Sequence, residues 1–413
     1  MKKILFILLP IVALTQEQII NKNILEPITL YGNMLETEDI EVGKNITIIT
    51  SSEMEKYTFN SIDELLKYIP SIELQSRGGF GNQSDITLRG TTFNQTLVLL
   101  DGMRVNDPLT GHFSMYIPIT ASDIYQIEII RGGYSSIYGP DAVGGIINIV
   151  TKTFSQNKNV NEIDIEQKLG SYNLQNSKLF LSKKINQLYS TISANFIKSD
   201  GEELYEDIFS FFEHQTISTS HHYQPNKDLS ITLRSSYAKR HFNSQYYYTN
   251  SAYDRSNELI EKTWTQAKAS YTLNDSSSIH INTAYQSVND VYVFNPDFPS
   301  YENTTHLLNT RVNYIRKKRN SHLVTGIDLQ NRRMLSVDRG NHKDYYVGAF
   351  LNYIKFKNNL SINPSLRIDY NKSYSLQLSP QIDIAYNYKK LAIRSSISRS
   401  IRSADFTERY YNN

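Results

Sequence analysis

From residue 160 onward, hydrophobic and polar positions alternate with period two. In 188–196, LYSTISANF, Leu188, Ser190, Ile192, Ala194 and Phe196 share one face, and Tyr189, Thr191, Ser193 and Asn195 share the other. Residues 229–237, LSITLRSSY, set Leu229, Ile231, Leu233 and Tyr237 against Thr232, Arg234 and Ser236. SIHINTAYQ and QIDIAYNY repeat the pattern. Short polar turns separate such strands: KKINQ near 185, QPNKD near 226, NDSS near 275, KKRNS near 318, FKNN near 358 and YKK near 389. Longer polar stretches such as KSDGEELYED and FNPDFPSYENTT fall between the turns. Short turn, strand, long loop and strand, at a period of about 40 residues, is the hairpin rhythm of an outer-membrane barrel. It predicts roughly 12–13 strands before the chain ends. A soluble β-sandwich also alternates, but it does not account for the asymmetry between short and long connections.

Residues 40–153 follow another pattern. SIDELLKYIP predicts a short amphipathic helix with Ser61 at the N-cap, Glu64 closing a capping box and Pro70 ending it. Ile62, Leu65, Leu66 and Ile69 then share one face. DITLRG, TLVLLDG, QIEIIRG and GGIINIVTK read as short strands bounded by Gly, Asp or Pro. This is a small mixed α/β domain ahead of a barrel, and its natural place is the lumen. The glycines of RGGYSSIYGPDAVGG suit sharp turns and close approach to a wall. A phosphate-binding loop would need G-x-x-x-x-G-K-[ST], which this stretch lacks.

Composition changes the picture in three ways. A net charge of +2 and a mean hydropathy of −0.44 lack the basic excess of a nucleic-acid binder. Thirty Tyr and 17 Phe suit interfacial aromatic girdles. The start MKKILFILLPIVALTQEQ has a basic n-region, an apolar stretch too short to span a bilayer, and Ala13-x-Thr15 as a cleavage site, so residues 1–15 read as a signal peptide. With no cysteine, the exported chain has neither a lipid anchor nor a disulfide framework.

ITLRGTTFNQTLVLLDGMRVNDP, followed by IEIIRGGYSSIYGPDAVGGIINIVTK, resembles the plug domain of TonB-dependent outer-membrane receptors. The resemblance implies a membrane β-barrel, of 22 strands in the whole protein, with an N-terminal mixed α/β plug in its lumen. It also implies remodelling of the plug by TonB, with ExbB and ExbD, at the expense of the proton-motive force. Residues 16–39 would hold the TonB box and linker, 40–153 the plug and 154–413 a partial barrel. Glu26, Pro27, Ile28, Thr29, Leu30, Tyr31 and Gly32, EPITLYG, sit where the family's TonB box pairs with a strand of TonB. A plain linker is the other reading of those seven residues.

Within the family, QSRGGFGNQSDITLRGT and MRVNDPLTGHFSMYIP are similar to the two substrate loops of the cobalamin-receptor group. Gly79, Phe80, Gly81 and Asn82, with Leu109, Thr110, Gly111, His112 and Phe113, would then face outward and touch ligand, the rings adding stacking surface. The same tips serve ferric-siderophore receptors, so cobalamin and siderophore both stand as ligands. Asp200, Glu202, Glu203, Glu206 and Asp207 are similar to acidic loops that hold Ca²⁺ in cobalamin receptors, although a solvated loop accounts for them too. Calcium is the one candidate cofactor. His221 and His222 are adjacent, so in a strand they point to opposite faces. Family plugs pair two arginines with barrel glutamates; here these are Arg89 and Arg131, with Glu408 of SADFTERYY as the partner. No nucleophile–base constellation, H-E-x-x-H or dinucleotide fingerprint is present, so the chain is not read as an enzyme.

Thirteen strands cannot enclose a plug of this size, since plugged barrels have about 22. An open edge in lipid leaves polar backbone groups unsatisfied, at several kcal/mol each. The chain is therefore expected to be an N-terminal portion of a receptor: a fragment, a broken reading frame or half of a split gene. A passive structural barrel and a non-functional remnant are the alternatives to an importer of a metal chelate in outer-membrane lipid.

Overall fold

The computed structural model describes residues 29–30, 37–38, 43, 45–155, 161–205, 208–388 and 391–411. The signal-peptide segment lies outside them, as do Glu26, Pro27, Ile28, Tyr31 and Gly32 of the TonB-box segment. Thr29–Leu30 pairs antiparallel with Thr37–Glu38.

The N-terminal domain contains β1 (Asn45–Thr50), α1 (Ser51–Met54), α2 (Ile62–Leu66), β2 (Ile72–Ser76), β3 (Ser84–Leu88), β4 (Thr96–Leu100), β5 (Met103–Arg104), β6 (Ile124–Arg131), α3 (Ser135–Tyr138) and β7 (Gly145–Thr151). β1, β6, β7, β4 and β5 form one sheet in that order, with β4 and β7 parallel, and β2 pairs with β3. Both faces of the sheet are covered, so TLVLL and GIINIV are apolar on both sides rather than alternating, apart from Thr96 and from Asn148, which donates to Glu128 Oε2 at 2.9 Å. Val98, Leu100, Ile127 and Ile147 pack with Leu65 and Leu66 of α2. Leu97, Leu99, Ile130 and Ile146 pack toward Phe350 and Ile354 of the wall.

The helical face predicted around Ile62, Leu65, Leu66 and Ile69 is buried as expected. The capping box is not formed. Glu64 Oε2 accepts from Asn60 N at 2.8 Å, one residue upstream, and Ser61 is an N-cap with no side-chain cap bond. The helix is only five residues long, so the carboxylate reaches past its own N-cap.

The second region is a meander of thirteen antiparallel strands. They are β8 (Glu162–Gly170), β9 (Leu174–Ile185), β10 (Leu188–Ser199), β11 (Phe212–Tyr223), β12 (Leu229–Asn243), β13 (Asn257–Asn274), β14 (Ser277–Val293), β15 (Tyr301–Lys318), β16 (Ser321–Ser336), β17 (His342–Lys357), β18 (Leu360–Asn371), β19 (Ser375–Tyr388) and β20 (Leu391–Ser398). Each pairs with the next in sequence, and among the described residues β8 and β20 are edges with no partner on one side. The expected short turns fall at 186–187, 224–228, 275–276, 319–320 and 358–359. The long connections at the other end are 200–211, 244–256 and 294–300, while 171–173 and 372–374 at that end are short, so the asymmetry is less regular than the sequence rhythm suggests.

The two faces of the wall obey the alternation. Leu188, Ile192 and Phe196 point outward and are exposed, whereas Tyr189, Thr191 and Ser193 are buried against the plug. His221 is outward and His222 inward, as adjacency requires. Outward tyrosines form two bands: Tyr223, Tyr271, Tyr386 and Tyr388 near the short turns, and Tyr301, Tyr345 and Tyr370 near the long loops. Ile, Leu and Val lie between them, which is the lipid-facing band and girdle arrangement of a membrane barrel. The single Trp is not in a girdle; Trp264 points inward into the plug core.

Ile327, outward and mid-strand in β16, is 51% exposed. Replacing it with Arg should cost about 2–4 kcal/mol at the bilayer midplane. Urea titration of the protein folded into lipid vesicles would check this, and an unchanged midpoint would contradict the lipid-facing assignment.

Candidate functional site between plug and wall

The plug is seated against the wall by buried polar contacts. Arg234 of β12 is inward and fully covered, with Asp101 at 3.6 Å and Asp123 at 3.7 Å, both from the plug. Its Nη2 donates to Thr151 Oγ1 at 2.6 Å. Asp101 also accepts from Thr151 N at 2.8 Å, and Asp123 from Ser193 Oγ at 2.7 Å. Burial pushes the Asp101 carboxyl up to about 6, against the pull of Arg234. Farther along, Asp107 accepts from Gln286 Nε2 at 2.9 Å and Thr305 Oγ1 at 3.0 Å, and burial again raises its pKa. Arg367 of β18 donates to Ile137 O at 2.9 Å while pairing with Asp328 at 2.7 Å and Asp369 at 2.6 Å.

Two plug loops lie at the end of the wall that carries the long connections. The first is the tip of the β2–β3 hairpin. Arg77 donates to Tyr247 O, Arg240 donates to Gly81 O, and His214 Nε2 meets Asn82 Oδ1 at 2.9 Å. A Cβ on Gly79 would strike the Phe212 ring, and Phe80 meets that ring edge-on at 6.0 Å. A cavity of about 590 Å³ opens here, lined by Gly79, Phe80, Tyr172, Leu204, Phe212 and Tyr247 among others.

The second loop, 107–113, ends in a helical turn, Gly111–Phe113. His112 Nδ1 lies 2.6 Å from Asp85 Oδ1, and its ring stacks on Phe93 at 4.4 Å. Past β20 the chain re-enters the lumen, and α4 (Phe406–Tyr410) crosses this loop: Phe406 N donates to Pro108 O at 2.8 Å and Thr407 N to Leu109 O at 3.0 Å. A second cavity, of about 550 Å³, has Leu109, Thr110, His112 and Phe113 on one side and Tyr248, Glu258, Asp290, Tyr292, Tyr301 and Arg339 on the other.

Of the nine residues expected to face outward, Gly79, Phe80, Thr110 and His112 are partly exposed at the cavities. Leu109 and Phe113 reach the second cavity but are almost wholly covered. Gly81, Asn82 and Gly111 are buried and do not face outward, because the tips dock on β11, β12 and Asn94 rather than standing free. The wall residues of the second cavity were not picked out from sequence. Their signal was available in the parity of β13 and β14, which puts Glu258 and Asp290 at inward positions, as it does Arg234, Asp328 and Asp369 in other strands.

The expected lock between Arg89, Arg131 and Glu408 is not formed. Arg131 bonds within the plug, to Ser71 Oγ at 2.5 Å, Thr47 Oγ1 at 2.7 Å and Pro70 O at 3.0 Å. Burial and the neighbouring Arg89 lower its pKa. Glu408 is committed elsewhere: it closes the capping box of α4 with Asp405 and holds Arg402 at 2.6 Å. Its plug contact is Asn94 Nδ2 at 3.3 Å. The plug is held to the wall by Arg234 with Asp101 and Asp123 instead.

Asp200, Glu202 and Glu203 are exposed on the loop between β10 and β11, and Glu206 and Asp207 lie outside the described residues. Among the described residues no three acidic or histidine side chains gather as metal ligands. The three described acidic residues thus do not fit a calcium site by themselves.

A lipid-facing meander wrapped around a covalently attached plug defines a plugged outer-membrane β-barrel, a multi-pass protein of the cell outer membrane. Residues 38–146 match the TonB-dependent receptor plug domain and residues 154–413 the TonB-dependent receptor-like β-barrel. The chain belongs to the TonB-dependent receptor family, a family of receptors and transporters. It is 35% identical to the vitamin B12 transporter BtuB of Vibrio vulnificus over 175 residues, which are 42% of this chain and 27% of that one. To the Vibrio cholerae transporter it is 34% identical over 132 residues, 32% of this chain and 21% of the relative. In fold it is similar to the ferric enterobactin receptor PfeA of Pseudomonas aeruginosa, with a TM-score of 0.74 and 12% identity over 92% of this chain and 64% of that one. The ferric yersiniabactin uptake receptor FyuA of Yersinia pestis aligns with a TM-score of 0.65 and 16% identity, over 86% of this chain and 60% of that one. The chain thus spans less than two thirds of the receptors it resembles.

Proposed function

We propose that this chain supplies the plug and adjoining wall of an energised importer of a scarce metal chelate, cobalamin ahead of a ferric siderophore, coupled through TonB, ExbB and ExbD to the proton-motive force. The observation that carries this reading is the seating of the plug. Buried contacts such as Arg234 with Asp101 and Asp123 hold it against the wall, and no bulky ligand passes such an interface unless the plug moves. Breaking a buried ion pair is costly, which calls for an external energy source. Cobalamin comes first because the relatives at 33–35% identity are vitamin B12 transporters, whereas the siderophore receptors share the fold at lower identity. The strand at Thr29–Leu30 suits an extended segment that adds to a sheet of a partner.

Deleting residues 26–32 is expected to abolish uptake of labelled cobalamin, or of a radio-iron siderophore, while ligand binding at the cell surface stays. Uptake that survives the deletion would reject TonB coupling and favour a passive barrel.

A further inference from the structure

The second cavity contains an acidic pair that the plug contacts leave unexplained. Glu258 and Asp290 come from the adjacent strands β13 and β14. The ladder sets Glu258 opposite Tyr292 and Ile260 opposite Asp290, so the two carboxylates are diagonal neighbours on the inward face. They are only 2% and 4% exposed. Tyr248 Oη donates to Glu258 Oε2 at 3.2 Å, and Asn303 Nδ2 to Asp290 Oδ2 at 3.1 Å. Asp290 Oδ1 is buried and receives no amide, hydroxyl, Lys or Arg donor, and the two carboxyl groups share a hydrogen bond with each other. Among the described residues, neither carboxylate forms an ion pair with Lys or Arg. Arg339, which lines the same cavity, is paired with Asp338 at 3.2 Å and donates to Asn303 Oδ1 at 3.1 Å.

Buried carboxylates are ordinarily paired or bound to a cation. Here the surroundings fit a cation from outside. Tyr248, with the Arg77 guanidinium 5.9 Å from its ring centre, meets Tyr292 edge-on at 5.3 Å, and Tyr292 lies 6.2 Å from Tyr301, so two further rings stand beside the acidic pair. Aromatic faces attract organic cations, and more strongly where water is excluded. Beyond Tyr248, Asn303 and its own shared hydrogen bond, the pair keeps an acceptor that a ligand N–H can fill.

We propose that Glu258 and Asp290, with Tyr248, Tyr292 and Tyr301, form a charge-selective subsite. It takes a positively charged or N–H-donating group of the chelate and excludes polyanionic chelates. This rests on the reading of the protein as a chelate receptor and narrows its substrate class: corrinoids with amide rims and cationic ferric hydroxamates suit the subsite, whereas ferric tris-catecholate trianions do not.

The test uses outer membranes that carry the full chain and two series of probes. One series is built on cobalamin and one on a ferric trihydroxamate, each made in cationic, neutral and anionic forms that differ at a single peripheral group. In at least one series, the wild type should hold the cationic form about 10-fold more tightly than the anionic form, a difference of about 1.4 kcal/mol. Glu258→Gln with Asp290→Asn should bring that ratio close to one while the neutral form still binds. A ratio measured on one membrane sample does not depend on how much of the variant has folded, and Glu258→Gln alone should give an intermediate ratio. Equal affinity of the wild type for all charge forms, or a preference that survives the double substitution, would overturn the subsite and leave the receptor reading standing. Failure of the wild type to hold any form of either series would overturn the receptor reading itself, and the subsite with it.

Discussion

Arg234→Ala should release the plug from the wall at markedly lower denaturant, with a loss of about 3–5 kcal/mol, the usual cost of breaking a buried ion pair from one side. The variant removes the guanidinium that Asp101 and Asp123 share, and with it the donor to Thr151. The strand ladder is untouched, so the wall should stay folded in the membrane. Trp264 is the chain's single tryptophan and sits between wall and plug core, so its emission reports seating of the plug directly. A red shift of that emission at lower urea in the variant is the expected result; an unchanged midpoint would mean that the network contributes nothing. Adding Asp101→Asn to the variant should recover part of the loss, because it removes one of the stranded charges.

The same network has a signed pH dependence. Burial raises Asp101 from 3.8 to about 6 in the seated plug. Between those values the seated plug binds more protons than the released one, so the contribution of this group is fully present below the ordinary carboxylate range and is lost as pH rises through about 6. Without Arg234, the larger of the two opposing charges, the other being Lys268, the carboxyl is raised further and the loss continues to higher pH. The gap between variant and wild type should therefore be wider near pH 7.5 than near pH 5, by roughly 1–2 kcal/mol.

Much of this architecture was legible because membrane strands leave an imprint at every second residue. Leu188, Ile192 and Phe196 had to share a face, and lipid is what that face meets. The plug strands were legible for the opposite reason: TLVLL and GIINIV are apolar on both sides because a helix and the wall cover them. The site was harder. Its members come from strands about 130 residues and more beyond the plug loops, and Glu258 next to Asp290 becomes visible only once the register of β13 on β14 is known. The Arg131 and Glu408 pairing failed because local partners took both groups first, Ser71, Thr47 and Pro70 on one side and Asp405 and Arg402 on the other. Nothing in a residue's type shows which of several acceptors it will meet.

Gly139→Val should be a strongly damaging change within the glycine-rich stretch. Gly139 ends α3 with φ +80° and ψ −156°, a conformation that costs a side-chain-bearing residue about 1–3 kcal/mol. Space is the larger obstacle. A Cβ there would lie 2.7 Å from Tyr346 Oη and 3.1 Å from Arg367 Nη2. Arg367 is fully buried and bound to Asp328, Asp369 and Ile137 O, so it has nowhere to retreat without breaking charged contacts. Gly132→Ala separates the two effects. Gly132 has φ +95°, but the nearest atom to its Cβ is Arg89 Nη1 at 4.0 Å, so that variant bears conformational strain alone, about 1–2 kcal/mol. Trypsin sensitivity of the plug and the Trp264 emission midpoint should move several times further for Gly139→Val than for Gly132→Ala. Equal shifts would mean that these glycines are required only for backbone freedom; unequal ones would mean that the plug is fitted to its wall to within the radius of a methyl group.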